Sequence, residues 1–161
     1  MYEGKTDEFD KKIIAEKYFD TVYRLALSQT QDSQRADDVL QEVFLRYIRT
    51  NKVFESEEHI KAWLIRVTIN CAKSSFINSW EKKTVALTED IPFEIPEEEE
   101  VYKFVAKLPK KYRAVIHLFY YEDLPVKTIS KYLNIKESTI KSQLHRAREM
   151  LKTMLEGRYE L

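Results

Sequence analysis

The sequence predicts an all-α protein made of two small helical domains joined by an acidic linker, and three observations predict it. Apolar residues recur at the three- and four-residue spacing of amphipathic helices on both sides of a central stretch. Only two glycines occur, Gly4 and Gly157, where ordinary usage gives about eleven. Strand-rich folds with many tight turns, and glycine-lined phosphate loops, need more than two. Charge is segregated along the chain, although 27 basic and 27 acidic side chains cancel overall. Residues 1–83 carry 14 of each sign, 84–100 carry seven acidic and no basic side chains, and 101–161 carry 13 basic and six acidic. All four prolines lie beyond residue 91, with Pro92 and Pro96 inside the acidic stretch. Charge, proline spacing and weak periodicity mark 84–100 as a linker between domains at 1–83 and 101–161.

An early helix places Ile13, Ile14, Tyr18, Val22, Leu25 and Ala26 on one stripe. Asp32 or Ser33 caps the second helix, whose stripe is Ala36, Val39, Leu40, Val43, Phe44, Tyr47 and Ile48. After a break at Phe54 and Glu55, Ser56 caps a third helix that buries Ile60, Trp63, Leu64, Val67 and Cys71 and runs on through Trp80. Beyond the linker, a short helix carries Val101, Phe104, Val105 and Leu108 and ends before Pro109. A longer one carries Tyr112, Val115, Ile116, Phe119 and Tyr120. Pro125 opens a compact helix with Ile129, Tyr132 and Leu133. After Asn134-Ile135-Lys136 comes the last helix, with Ile140, Leu144, Ala147 and Leu151 inward and Gly157 as its C-terminal cap.

Composition excludes several classes. One cysteine, Cys71, allows neither a disulfide framework within the chain nor a CxxC metal site. No apolar run approaches the roughly 20 residues of a membrane span. The N-terminus leads into charged residues without a signal-peptide apolar stretch, so a cytoplasmic protein with no membrane insertion is expected. The three histidines, His59, His117 and His145, stand far apart and in no metalloenzyme spacing. No catalytic residue, metal site or cofactor is expected.

The last two helices carry the clearest functional signal. A short helix, a tight turn and a second helix make a helix-turn-helix, whose second member enters the DNA major groove. Opposite its buried stripe, the last helix presents Ser138, Ser142, His145 and Glu149, flanked by Lys141, Arg146 and Arg148. Short polar groups suit base edges and cations suit phosphates. Residues 127–152 hold seven basic side chains against two acidic. An ordinary amphipathic helix with a solvated basic face is the competing reading.

The stretch TISKYLNIKESTIKSQLHRAREML, residues 128–151, resembles the −35-reading helix-turn-helix of bacterial RNA polymerase sigma factors, and the extracytoplasmic-function group most of all. The matching residues are Ile129-Ser130, Asn134-Ile135, Thr139-Ile140-Lys141-Ser142 and His145-Arg146-Ala147-Arg148. The resemblance implies −35 contacts by Ser138, Thr139, Lys141, Ser142, His145, Arg146 and Arg148. Asn134 replaces the usual turn glycine but tolerates the left-handed conformation. Lys136 takes the usual Ser/Thr cap position, which loosens the helix start by roughly 1 kcal/mol.

The N-terminal half resembles the same family independently. The run Ala36-Asp37-Asp38-Val39-Leu40-Gln41-Glu42-Val43-Phe44-Leu45 is similar to the helix that docks on the clamp coiled coil of core polymerase, which assigns that contact to Asp38, Gln41, Glu42 and Phe44. An acidic and amide ridge suits cations on a partner helix. The stretch Ala62–Asn70 resembles the family's promoter-opening motif at the −10 element. By resemblance Phe54 and Asn70 capture a flipped-out base of the melted strand, with Arg66 and Lys73 for phosphates; an aromatic wall and an amide can hold an unstacked base. Trp63 is expected in the core. The family's usual Asp and Arg after this motif are here Ser74 and Ile77, and Glu55, Glu57 and Glu58 repel the DNA backbone unless they turn away. These departures imply a weak or unusual −10 preference.

The resemblance implies a dissociable initiation subunit rather than an enzyme. Its partners would be core RNA polymerase, through clamp coiled coil and flap, double-stranded and melted promoter DNA, and an anti-sigma factor. The acidic linker would run through the polymerase cleft as a nucleic-acid mimic. The alternatives are a stand-alone helix-turn-helix regulator, normally a dimer, and a helical hydrolase or metal enzyme.

Overall fold

The computed structural model describes residues 3–73 and 100–159. The chain divides into two compact units, Met1–Glu89 and Asp90–Leu161. Most of the acidic stretch, the continuation of the third helix to Trp80, and Ser74 and Ile77 lie outside the described residues.

The first unit packs three helices, α1 (Glu3–Thr30), α2 (Ser33–Arg49) and α3 (Glu57–Lys73). α2 forms where the periodicity places it, because Asp32, in extended backbone, accepts a hydrogen bond from the Gln34 N–H at 2.9 Å. Ser56 caps α3 in the same way, its Oγ accepting from the His59 N–H at 3.1 Å. The α2 C-terminus is closed from outside: the Lys11 ammonium donates to the Ile48 and Thr50 carbonyls at 3.2 and 3.1 Å. Tyr18, Val22, Ala26, Val39, Leu40, Val43, Tyr47, Leu64 and Cys71 form the buried core. Full burial of side chains such as Val22 and Leu64 stabilises by about 1.5–3 kcal/mol each. Burial also pushes the Cys71 thiol up, which makes it a packed and unreactive group.

Three features of this unit depart from the sequence expectation. Ile13 and Ile48 face outward, Ile48 at 58% exposure, while Phe44 is half-buried. The buried stripe of α2 is narrower than the apolar pattern: at 100° per residue Ile48 lies well off the arc centred on Val43 and Tyr47. Ile60, Trp63 and Val67 flank the core rather than fill it.

The second unit runs α4 (Glu100–Val105), α5 (Lys110–Ile116), a π-helical turn at His117–Tyr121, α6 (Val126–Leu133) and α7 (Glu137–Tyr159). Pro109 and Pro125 start α5 and α6. The core joins Leu108, Val115, Ile116 and Leu118 to Ile129, Tyr132, Ile140, Leu144 and Ala147. Val101 is exposed, contrary to the expected stripe, and so is Tyr120, because the π-helical turn shifts the phase of the helix by one residue. Gly157 is not a cap: α7 runs through it to Tyr159 with no positive φ.

Turns needing a left-handed residue use other side chains. Gln31, Asp123 and Asn134 take φ of 57°, 54° and 56°. Asn134 ends α6 at φ 56°, ψ 46°, with its N–H directed to the Ser130 carbonyl. The Ile135 N–H donates to the same carbonyl at 3.1 Å, and the Ser130 hydroxyl donates back to the Ile135 carbonyl. This doubly tied turn sets α7 against α6 and completes the helix-turn-helix.

Candidate functional site

All seven α7 residues singled out in the sequence are exposed: Ser138, Thr139, Lys141, Ser142, His145, Arg146 and Arg148. The buried arc of Ile140, Leu144 and Ala147 turns the opposite side of α7 to solvent. Four of the seven meet in one place. Ser138, Thr139, Ser142 and Arg146 line a cleft of about 330 Å³ whose far wall is Lys111 and Tyr112 of α5. Sequence reasoning misses Lys111 and Tyr112 because they precede the helix-turn-helix, and nothing local marks their approach to α7.

The remaining three divide. Lys141 stands on the exposed face. His145 Nε2 lies 3.6 Å from Glu149 Oε1 in a solvated pair. Arg148 turns back into the unit. Its Nε donates to the Tyr120 hydroxyl at 2.7 Å, and its guanidinium lies 5.5 Å from the Phe119 ring centre and 5.6 Å from that of Tyr120.

In the first unit, Asp38 and Gln41 are exposed on α2, on the side away from its core stripe. The same outward stripe continues through Leu45 and Ile48, at 43% and 58% exposure. These two apolar residues extend the polar ridge, and their position off the buried arc was the available signal. Glu42 is tied to Arg46 at 2.9 Å. Phe44 is half-buried and stacks on Phe19, ring centres 6.4 Å apart and planes within 7°. The Asp38 carboxyl is raised above its usual range by partial desolvation and by the neighbouring Asp37 and Asp32. A ridge whose carboxylates repel one another is primed to gain from a cationic partner.

Phe54 is half-buried in an aromatic cluster, with ring centres 5.7 Å from Trp63, 6.1 Å from Tyr47 and 5.2 Å from His59. The Lys52 ammonium sits 5.9 Å from its ring centre. Arg66, Asn70 and Lys73 are exposed on α3 at i, i+4 and i+7, a single helical stripe. Trp63 belongs to the edge of that stripe, so the aromatic cluster adjoins the side of α3 that carries the Asn70 amide. One suspected obstacle turns away: Glu57 Oε2 accepts from Lys17 Nζ at 2.7 Å and from the Tyr18 hydroxyl at 3.1 Å. Lys17 and Tyr18 lower the Glu57 carboxyl, while burial and Glu57 push the Tyr18 hydroxyl up to about 12.

Among the described residues no three His, Cys, Asp or Glu side chains group to hold a metal ion, and no helix is long and apolar enough to cross a membrane.

Comparison with known proteins gives two family matches. The sigma-70 region 2 profile matches residues 14–81, and the sigma-70 region 4 profile matches residues 98–151. The extracytoplasmic-function (ECF) RNA polymerase sigma factor SigM of Bacillus subtilis is 33% identical over 156 residues, spanning 88% of this chain and 92% of that protein. The ECF sigma factor SigW of the same organism is 27% identical over 162 residues, spanning 88% and 87%. A solved structure of the sigma factor RpoE in complex with the anti-sigma factor NepR, from Bartonella quintana, shares the fold at a TM-score of 0.63 and 17% identity, over 97% of this chain and 98% of that one.

Proposed function

The chain belongs to the sigma-70 family of RNA polymerase sigma factors, in its ECF group, and from that premise we propose how its residues divide the work. As a sigma factor it binds core RNA polymerase and directs it to promoters; sigma factors are DNA-binding initiation factors rather than enzymes. The second unit reads the −35 element with α7, using Thr139, Lys141 and His145 toward bases and Ser138, Ser142 and Arg146 toward the DNA backbone. The first unit docks on the clamp coiled coil through Asp38, Gln41, Glu42 and the apolar edge at Phe44. It engages the melted −10 strand through Phe54, Arg66, Asn70 and Lys73. Arg148 acts on the DNA-reading helix from behind, holding Tyr120 and Phe119. No step of its own chemistry is needed, and the protein works in the cytoplasm, where core polymerase is found. An anti-sigma factor is a further partner, as it is for the structural neighbour.

The observation that carries this reading is the exposed polar and cationic face of α7, held opposite the buried arc by the turn at Asn134. Holoenzyme assembled from the purified chain and core polymerase provides the test. Transcription should fall when the −35 element is scrambled, each lost base-edge contact being worth about 1–3 kcal/mol of discrimination. Asp38→Ala combined with Gln41→Ala, both exposed and harmless to the fold, should release the chain from core polymerase in a pull-down. Equal transcription from intact and scrambled elements would defeat the −35 assignment, and undiminished binding by the double variant would defeat the docking face.

A further inference from the structure

We propose that the cleft between α5 and the first half of α7 seats a backbone phosphate of duplex DNA, with Lys111 as its chief cation. The proposal rests on α7 being the promoter-reading helix, and it extends the DNA surface to an element outside the helix-turn-helix.

Three features of the cleft point to an anionic occupant. Its lining holds two cations, Lys111 and Arg146, and no carboxylate. Hydroxyls of Ser138 and Ser142 supply short neutral donors on the same wall. The Lys111 ammonium lies 5.1 Å from the ring centre of Tyr112, a buried residue, so the core fixes the platform on which the charge rests. Holding a long side chain in place beforehand lowers the ordering cost of binding.

Small-molecule pockets are lined mainly by apolar and aromatic side chains and enclose their ligand. This lining is chiefly polar, with Ser138, Ser142 and Arg146 shared with the exposed face of α7. A strand whose bases meet Lys141 and His145 therefore has its backbone within reach of the cleft. Glu137, exposed in the first turn of α7, and Glu149 both lie outside the lining. Positive charge thus prevails at the seat itself.

The test uses holoenzyme on −35 promoter fragments, with affinity measured across a salt series. Lys111→Gln should lower affinity for matched and scrambled elements by the same factor and flatten the salt slope by about one unit, the signature of one lost phosphate contact. Lys111→Arg should restore most of both. In a series of fragments with a single uncharged methylphosphonate stepped along the backbone, one position that weakens the unaltered protein should leave Lys111→Gln indifferent. Circular dichroism should be unchanged, since Lys111 is exposed. Unchanged affinity and slope in Lys111→Gln, while Arg146→Ala still weakens binding, would overturn the seat and leave α7 as the reading helix. Indifference of the unaltered protein to the −35 sequence, together with no effect of Arg146→Ala, would remove both.

Discussion

Asp38 shows how a residue proposed to face a partner can weaken the fold that presents it. Its carboxyl is raised by partial desolvation and by Asp37 and Asp32. Below the usual carboxylate range the group is protonated in folded and unfolded chains alike. As pH rises, the unfolded chain releases the proton first, so the folded state loses stability through that window and stays penalised at neutral pH. Asp38→Asn should therefore melt higher at pH 7, the gain shrinking to nothing as pH falls below the usual carboxylate range. The same variant should bind core polymerase more weakly. Thermal melts across pH, set beside pull-downs, check both halves. Gain of stability with unimpaired binding would mean that Asp38 does not face the partner. Residue roles are legible in the sequence wherever the determinant is local. Asp32, Ser56 and Asn134 act through atoms within a few residues, and each is found where the sequence puts it. Arg148 meeting Tyr120, and Glu57 meeting Lys17, join residues 28 and 40 apart, and no local pattern announces such contacts.

Helices are legible from periodicity, while their edges are not. The apolar pattern of α2 identifies the centre of its core arc and fails at Ile48, because an apolar side chain on the rim of an arc is compatible with either face. Leu45 and Ile48 consequently emerge as part of the exposed stripe with Asp38 and Gln41. The far end of α7 departs from expectation for a different reason. Glycine near the end of a periodic run reads as a stop, yet Arg158 and Tyr159 continue the helix beyond it. A Cβ at Gly157 meets nothing within 4 Å. Gly157→Ala should therefore stabilise the second unit by up to about 1 kcal/mol, through reduced freedom of the unfolded chain and better helix propensity. Circular-dichroism melts would detect it, and a lower melting temperature would show that the glycine serves some other end. The α5–α7 cleft belongs to this scale as well: it exists only once two helices pack, and so Lys111 and Tyr112 carry no signal in isolation.

At the scale of the molecule, the chain holds two units with separate cores. The second unit contains no tryptophan and Trp63 packs against the first core, so tryptophan fluorescence follows the unfolding of the first unit while helical dichroism reports both. Leu64 is 1% exposed in the first core. Leu64→Ala should cost that unit about 2–5 kcal/mol. The fluorescence midpoint in denaturant should fall by that cost divided by the m-value, whereas a component of the dichroism transition belonging to the second unit should stay in place. A shift of the whole transition would mean that the units unfold as one. Charge and proline spacing lead the sequence to expect two parts, with most of the expected linker outside the described residues. The internal design of each unit requires the packing.

The π-helical turn at His117–Tyr121 has a genetic consequence. Such a turn is an α-helix with one residue too many, so the mutation to which it is most sensitive is a change of length rather than of side chain. Deleting the His117 codon would restore regular winding and rotate the downstream residues of the turn by about 100°. Tyr120 would swing away from Arg148, and Leu118 would leave the core. Among lineages that share this segment, substitutions should accumulate freely at exposed positions such as Lys110 and Lys127, while insertions and deletions are purged from the five residues before Glu122.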